Sequence, residues 1–332
     1  MDVAVRSEGV ILIGYHASHE QFSPRNLLAW VQLAEAAGFQ GAMCSDHFHP
    51  WAERHAQSGF AWSWMGAAMQ ATGFSMGTVN APGQRYHPAI IAQASATLAQ
   101  MFPDRFWFAV GSGEYVNEHI TGGEWPPKAE RNARLLECVQ IMRALWAGET
   151  VTHQGLVTVE NAKLYSRPER APTVYAAALS PETARWAGSW SDGLITVAQE
   201  PETTRRVLEA YREGGGEGKP ASLQVHIAFA PTDEEARAIA WEHWRENALP
   251  GKLLADASSP AVFEKHARVL TADDLRDTVR MSSDLGQHRA WLAADLELGF
   301  DRVYLHEVGP EQDRFIEAFG AQVLPKLKGL RS

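Results

Sequence analysis

Short apolar runs of strand character alternate along most of this chain with longer stretches of helical period. Residues 10–15 form the first such run. Between 24 and 38, Leu27, Leu28, Trp30, Val31, Leu33, Ala34 and Ala37 recur at helical spacing, and Gly38 marks the stop. Residues 41–44 predict a second strand, 62–72 a buried helix and 75–79 a third strand. An alanine-rich helix over 87–101 carries Pro88 in its first turn, where a missing N–H costs nothing. Strand four falls at 106–110. Over 129–146 the helical period is plainest, with Leu135, Leu136, Val139, Met142, Leu145 and Trp146 along one side.

The polar, β-like stretch 150–172 has no helical period and predicts an excursion. Strands at 174–177, 194–197, 223–228 and 303–306 complete a count of eight, with helices over 181–188, 201–213 and 233–248 between them. Such alternation implies a parallel sheet with crossover helices. Eight strands favour a closed (β/α)8 TIM barrel, and no G-x-G-x-x-G follows the first strand to suggest an open dinucleotide-binding sheet. Residues 247–287 fit neither pattern and predict a helical insertion between the last two strands. The expectation is one barrel domain over 1–332, a length that barrels reach.

Composition narrows the partners. Of 332 residues 45% are hydrophobic and 21% charged, with a formal net charge of −10, which argues against a nucleic acid or an anionic membrane surface. Cys44 and Cys138 are too few and too far apart for a disulfide scaffold or a zinc site. They read as reduced thiols in a cytoplasmic protein. There is no secretory signal and no run of ~18 apolar residues for a membrane span.

Function in a barrel collects where strands end at the C-terminal face. Four such ends are polar here: Tyr15 to Glu20, Ser45 to Trp51, Thr78-Val79-Asn80, and Gly111-Ser112-Gly113-Glu114 running on to Asn117 and Glu118. An imidazole near neutral pKa suits proton transfer at a carbon that gains or loses hydride, so Asp46 and His47 are the leading candidates. Each has a plain structural alternative, Asp46 as a helix cap and His47 as rim packing. His47, His49 and His55 offer no paired helical spacing with a third ligand, and the expectation is no metal. Glu20 and Glu114 as solvated carboxylates, and Trp51 as core, are equally ordinary fates. Gly111 and Gly113 let backbone approach a ligand or make a tight turn.

Several of these segments, with their order and spacing, resemble the deazaflavin-dependent glucose-6-phosphate dehydrogenases of the bacterial-luciferase-like superfamily. The resemblance runs through Gly14 to Phe22, Ser45 to Trp51, Trp62 to Met65, Arg85 to Ala94, Gly111 to Glu114 with Asn117-Glu118, Arg134 to Glu137, Ser191 to Gly193 and Gly299 to Asp301, nearly the whole chain. It implies a dimeric barrel holding an isoalloxazine-type ring in its mouth. Carried over by position, His47 would be the base or acid, Glu114 its acid partner, Glu20 the residue that places His47, and Trp51 the shield of developing charge. Asp46 would hold the ring. Thr78, Val79, Asn80, Gly111, Ser112, Gly113, Asn117, Ala177 and Ala178 would complete the cofactor site, with a non-prolyl cis peptide near Thr78–Val79–Asn80.

The departures are specific. Glu200 stands where the family has a lysine for the sugar phosphate, and two further basic contacts align near Leu254 and Thr278. A carboxylate repels a phosphate dianion, so glucose 6-phosphate is not the expected substrate. Ala178-Leu179-Ser180 replaces a glycine pair at the cofactor phosphate, which gives a slight preference for FMN over coenzyme F420. The expected activity is hydride transfer between either cofactor and a small alcohol or carbonyl compound. The rivals are an FMNH2-dependent monooxygenase fed by a separate flavin reductase, and a non-catalytic flavin- or sugar-binding barrel. The intact Glu20, Asp46, His47, Trp51 and Glu114 set weighs against the last.

Overall fold

A computed structural model describes residues 11–327. Its strands are β1 (Leu12–Ala17), β2 (Gly41–Cys44), β3 (Ser75–Asn80), β4 (Phe106–Val110), β5 (Val151–Gln154), β6 (Thr158–Ala162), β7 (Thr173–Ala177), β8 (Gly193–Val197), β9 (Ala221–Phe229), β10 (Val279–Ser282) and β11 (Arg302–Glu307). Parallel pairing runs β11–β1–β2–β3–β4–β7–β8–β9 and closes from β9 to β11. The result is an eight-stranded parallel barrel with helices outside, the (β/α)8 fold. Its helices are α1 (Pro24–Ala36), α2 (Ala61–Ala71), α3 (Pro88–Met101), α4 (Tyr115–Glu118), α5 (Lys128–Ala147), α6 (Pro181–Gly188), α7 (Pro201–Tyr211), α8 (Asp233–Trp244), α9 (Gly251–Asp256), α10 (Pro260–Ala267), α11 (Leu285–Leu298) and α12 (Gln312–Gln322). Among the described residues no helix is long and apolar enough to cross a membrane.

Alternation along the strands sorts the side chains. Met43, Trp107, Ala109, Tyr175, Ile195 and Tyr304 turn inward and fill the barrel, while the opposite faces pack on the helices in one large core. Two strand glycines make room for this filling. A Cβ on Gly14 would meet the Tyr304 ring at 2.5 Å, and one on Gly193 the Tyr175 ring at 2.5 Å. The barrel is therefore a packed plug below and can be hollow only at its upper end.

The excursion over 150–172 contains the antiparallel pair β5–β6. Three features differ from the sequence expectations. First, residues 247–287 are not wholly helical: α9 and α10 give way to β10, which pairs with the upper half of β9 at His226 to Phe229. Four residues with two polar side chains carry too little pattern to announce a strand, and only the free edge of β9 creates one. Second, the 201–213 helix ends at Tyr211 and continues as a wide turn over 212–216, broken at Gly215 with φ 104°. Third, there is no cis peptide bond among the described residues. Thr78, Val79 and Asn80 belong to a regular strand in register with β4, and Thr78 pairs with β2 as well. Continuous pairing with β4 keeps all three in regular extended strand geometry with trans bonds; a non-prolyl cis bond costs ~3 kcal/mol.

Candidate active site

β2 ends at Cys44, and the chain from Ser45 to Trp51 crosses the barrel mouth as a loop. Asp46 is buried below it, gripped from β3's side of the barrel by the segment ahead of α3. Tyr86 donates its hydroxyl to Asp46 Oδ1 at 2.8 Å, and Arg85 donates to the Asp46 carbonyl at 2.9 Å while its guanidinium lies 3.5 Å from Oδ2. Arg85 also serves Glu118: its N–H donates at 2.8 Å and its Nε stands 3.6 Å away. One buried cation thus neutralises two buried carboxylates. Burial pushes both acids up, and Arg85 works against it. Asp46 is a braced anchor, not a helix cap.

His47 lies above, half-buried, with Glu114 facing it. The His47 Nε2 to Glu114 Oε2 distance is 3.9 Å, with 16% and 33% of the two side chains exposed. That gap is too wide for a hydrogen bond. It is also the separation at which one inserted oxygen would stand about 2.8 Å from both atoms, ordinary hydrogen-bond length. Burial raises the Glu114 carboxyl, and the charge on Glu20 adds to that against His47. Its open third faces the mouth, so solvent tempers the rise.

Glu20 is buried at the end of β1. Its carboxylate accepts the Ser45 hydroxyl, and Ser45 in turn accepts the His19 N–H at 2.8 Å. Burial is the largest influence and would raise Glu20. His47, His16 and the Ser45 hydroxyl together outweigh it and leave the acid below its ordinary value. Trp51 packs its ring 5.1 Å from that of His47 and 5.3 Å from Phe263 of α10. The segment between β9 and β11 therefore caps the loop that carries His47. Arg54 adds a clamp, bonding Glu246 at 2.7 and 2.5 Å.

The three loop histidines part company. His49 hydrogen-bonds the Val116 carbonyl at 2.7 Å and His55 the His243 carbonyl at 2.9 Å, leaving His47 alone with the carboxylates. Of the expected cofactor residues, Val79 and Ala177 pack in the barrel interior beside Ala109, and Gly111 and Ser112 follow at the open end. A Cβ on Gly111 would stand 3.6 Å from that of Ala177, so this side of the mouth is lined by small groups. Gly113 takes φ 83° to turn the chain toward Glu114. Thr78 is fully buried and gives its hydroxyl to the Cys44 carbonyl at 2.8 Å, so it serves strand pairing. Asn80 donates to the Ala109 carbonyl, with its Oδ1 buried and unpartnered. Ala178 is buried, its N–H on the Ile195 carbonyl. Asn117 spends its amide on the His47 loop: Oδ1 accepts the N–H groups of Phe48 and His49 at 2.9 and 3.2 Å.

Arg85, Tyr86 and Ser45 stand inside the matched segments, but their residue types alone assign them no role. The same holds for His16, which is buried near Glu20 and His47. With His226 and His306, His16 forms a ring cluster, centroids 4.6 Å (His16–His306) and 5.2 Å (His226–His306) apart. Burial lowers His16 to about 4 and His226 to about 3, so the cluster is uncharged at neutral pH. Glu200 is exposed and caps α7, accepting the Thr203 N–H at 3.0 Å. The helix N–H groups explain a carboxylate there and hold its pKa down.

A parallel barrel with carboxylates and imidazoles gathered at its C-terminal mouth, and small side chains along one side of it, is the frame of a luciferase-like oxidoreductase. The luciferase-like monooxygenase family model matches residues 9–302, and the chain belongs to that family. The F420-dependent glucose-6-phosphate dehydrogenase of Tsukamurella paurometabola is 36% identical over 96% of this chain and 98% of its own. That of Beutenbergia cavernae is 34% identical over 96% and 98%. An F420-dependent secondary alcohol dehydrogenase, solved with an F420–acetone adduct, superposes with a TM-score of 0.88 at 32% identity, covering 96% of this chain and 99% of that one. The F420-dependent tetrahydromethanopterin reductase of Methanopyrus kandleri, TM-score 0.75 at 17% identity with 96% and 99% covered, supports the fold alone. These relatives carry F420 in their names, and the preference for FMN finds no support among them.

Proposed function

We propose that this chain is an F420-dependent dehydrogenase that interconverts a small uncharged secondary alcohol and its ketone. The carrying observation is the His47–Glu114 pair, 3.9 Å apart, partly open to solvent at a mouth lined on one side by small groups. Val79, Ala109, Gly111 and Ala177 would hold the flat ring of the cofactor, with Asp46 braced by Arg85 and Tyr86 on the neighbouring side. Bound there, the deazaflavin supplies a two-electron hydride acceptor or donor. The chain's part is to seat the alcohol oxygen between His47 and Glu114, move its proton, and keep water out with Trp51 and Phe263.

The choice of an uncharged substrate rests on charge. Arg54 and Arg85, the cations packed against the His47 loop, are both committed to carboxylates. Glu114 is open to the mouth with Glu20 buried close by, and the His16–His226–His306 cluster is neutral. A phosphate dianion would meet repulsion without a partner. The test is titration of the apo-protein with F420 and with FMN, followed by addition of short secondary alcohols or glucose 6-phosphate. F420 binding, and bleaching of its visible band by the alcohols but not by the sugar phosphate, is the expected result. Tight binding of FMN alone would overturn the cofactor, and efficient reduction by glucose 6-phosphate the substrate.

A further inference from the structure

Both ends of the Asn117 amide are used, and this constrains the proton on His47. The Oδ1 atom accepts two main-chain N–H groups, from Phe48 at 2.9 Å and His49 at 3.2 Å. Turning the amide over would point an NH2 group at both donors, so its orientation is set by the backbone. The Nδ2 group then faces His47 Nδ1 at 3.3 Å and Glu114 Oε2 at 3.4 Å. A donor at Nδ1 demands a lone pair there. In the neutral ring the proton must therefore sit on Nε2, the nitrogen across the 3.9 Å gap from Glu114.

We infer that Asn117 locks His47 as the Nε2–H tautomer, and that this divides the labour at the substrate oxygen. His47 donates a hydrogen bond to the oxygen, and the Glu114 carboxylate exchanges the proton. The second half rests on the dehydrogenase reading above, whereas the first stands on geometry alone. In alcohol oxidation the C–H bond breaks and its electron pair leaves as hydride to the deazaflavin. The O–H bond breaks, its proton passes to Glu114, and its electron pair becomes the second C–O bond of the ketone. His47 keeps its Nε2 proton throughout. An imidazole with Nε2–H has no lone pair there to accept a proton, whereas Glu114 has one and reaches the same oxygen. Asn117 is a positioning residue in this scheme, acting through His47.

The tautomer can be read in the apo-protein by long-range proton–nitrogen correlation of the histidine rings at a pH where His47 is neutral, with His47→Gln assigning the signal. The proposal expects Nε2–H in the wild type. Asn117→Asp keeps an acceptor for Phe48 and His49 but replaces the donor facing Nδ1, so the proton should move to Nδ1. Asn117→Ala, with neither, should give a mixture. An Nδ1–H tautomer in the wild type, or one unmoved in Asn117→Asp, would overturn the inference whether or not F420 is the cofactor. With F420 and alcohol, Asn117→Asp should lower kcat by about 10²-fold with little change in KM. Wild-type turnover in a variant whose tautomer has moved would refute the division of labour. Absence of any F420-linked turnover in the wild type would count against the dehydrogenase reading and leave the ring measurement decisive.

Discussion

His47 has one half-exposed carboxylate across a gap, Glu114, and one buried carboxylate whose charge it stabilises, Glu20. Removing its ring should therefore damage chemistry more than binding. His47→Ala and Glu114→Gln should each lower the alcohol-linked half-reaction by about 10² to 10⁴, with cofactor affinity nearly unchanged in a titration. His49→Ala should matter far less, because its ring serves the Val116 carbonyl at the rim. Equal losses in the His47 and His49 variants would mean that the loop, and not the imidazole at 47, carries the effect. The candidate residues were legible one by one because their types and spacing match a known pattern. The role of Asn117 was not: nothing in its neighbours shows that its amide would be folded back on Phe48, His49 and His47.

The second rim is an element held by borrowed parts. Asp46 and Glu118 come from different strand ends, and Arg85, from the turn ahead of α3, compensates both with 7% of its side chain exposed. Arg85→Met should leave two buried acids unpaired and cost about 3–5 kcal/mol, measured by urea unfolding near neutral pH. Since both acids are already raised by burial, the variant should recover part of that loss as the pH is lowered and they take up protons. A variant as stable as the wild type at neutral pH would show that water, not Arg85, solvates these groups. Elements with strong periodicity, such as α1, α5, β2 and β4, were legible to within a residue or two. The short β10 was not, because a strand of four residues is specified by the edge it joins.

For the whole molecule, burial sets the response to pH. His16, His19, His55 and His288 are lowered from 6.5 to about 4, and His226 to about 3. Above 6.5 both folded and unfolded rings are neutral, and the full stability is present. As pH falls toward 4 the unfolded chain binds protons that the folded chain refuses, so stability is lost, up to a few kcal/mol for each ring. Glu307, raised by burial to about 8, works in the other sense. It favours the fold below its ordinary value and gives this up as pH rises to 8. The urea midpoint should climb steeply from pH 4 to 6.5 and sag between 6.5 and 8. A midpoint flat from pH 7 to 5 would contradict this.

The sequence by itself determined the alternation of strands and helices, hence the eight-stranded parallel barrel, and the polar residue types at four strand ends. Hydrophobic period and turn residues are local properties, and a parallel sheet with crossover helices follows from them. Tertiary structure alone decided which polar residues meet. Glu114 and His47 are 67 positions apart, and the segment closing over Trp51 arrives from beyond residue 245. Only closure of the barrel brings these ends to one mouth, where burial and the 3.9 Å gap turn ordinary side chains into a site.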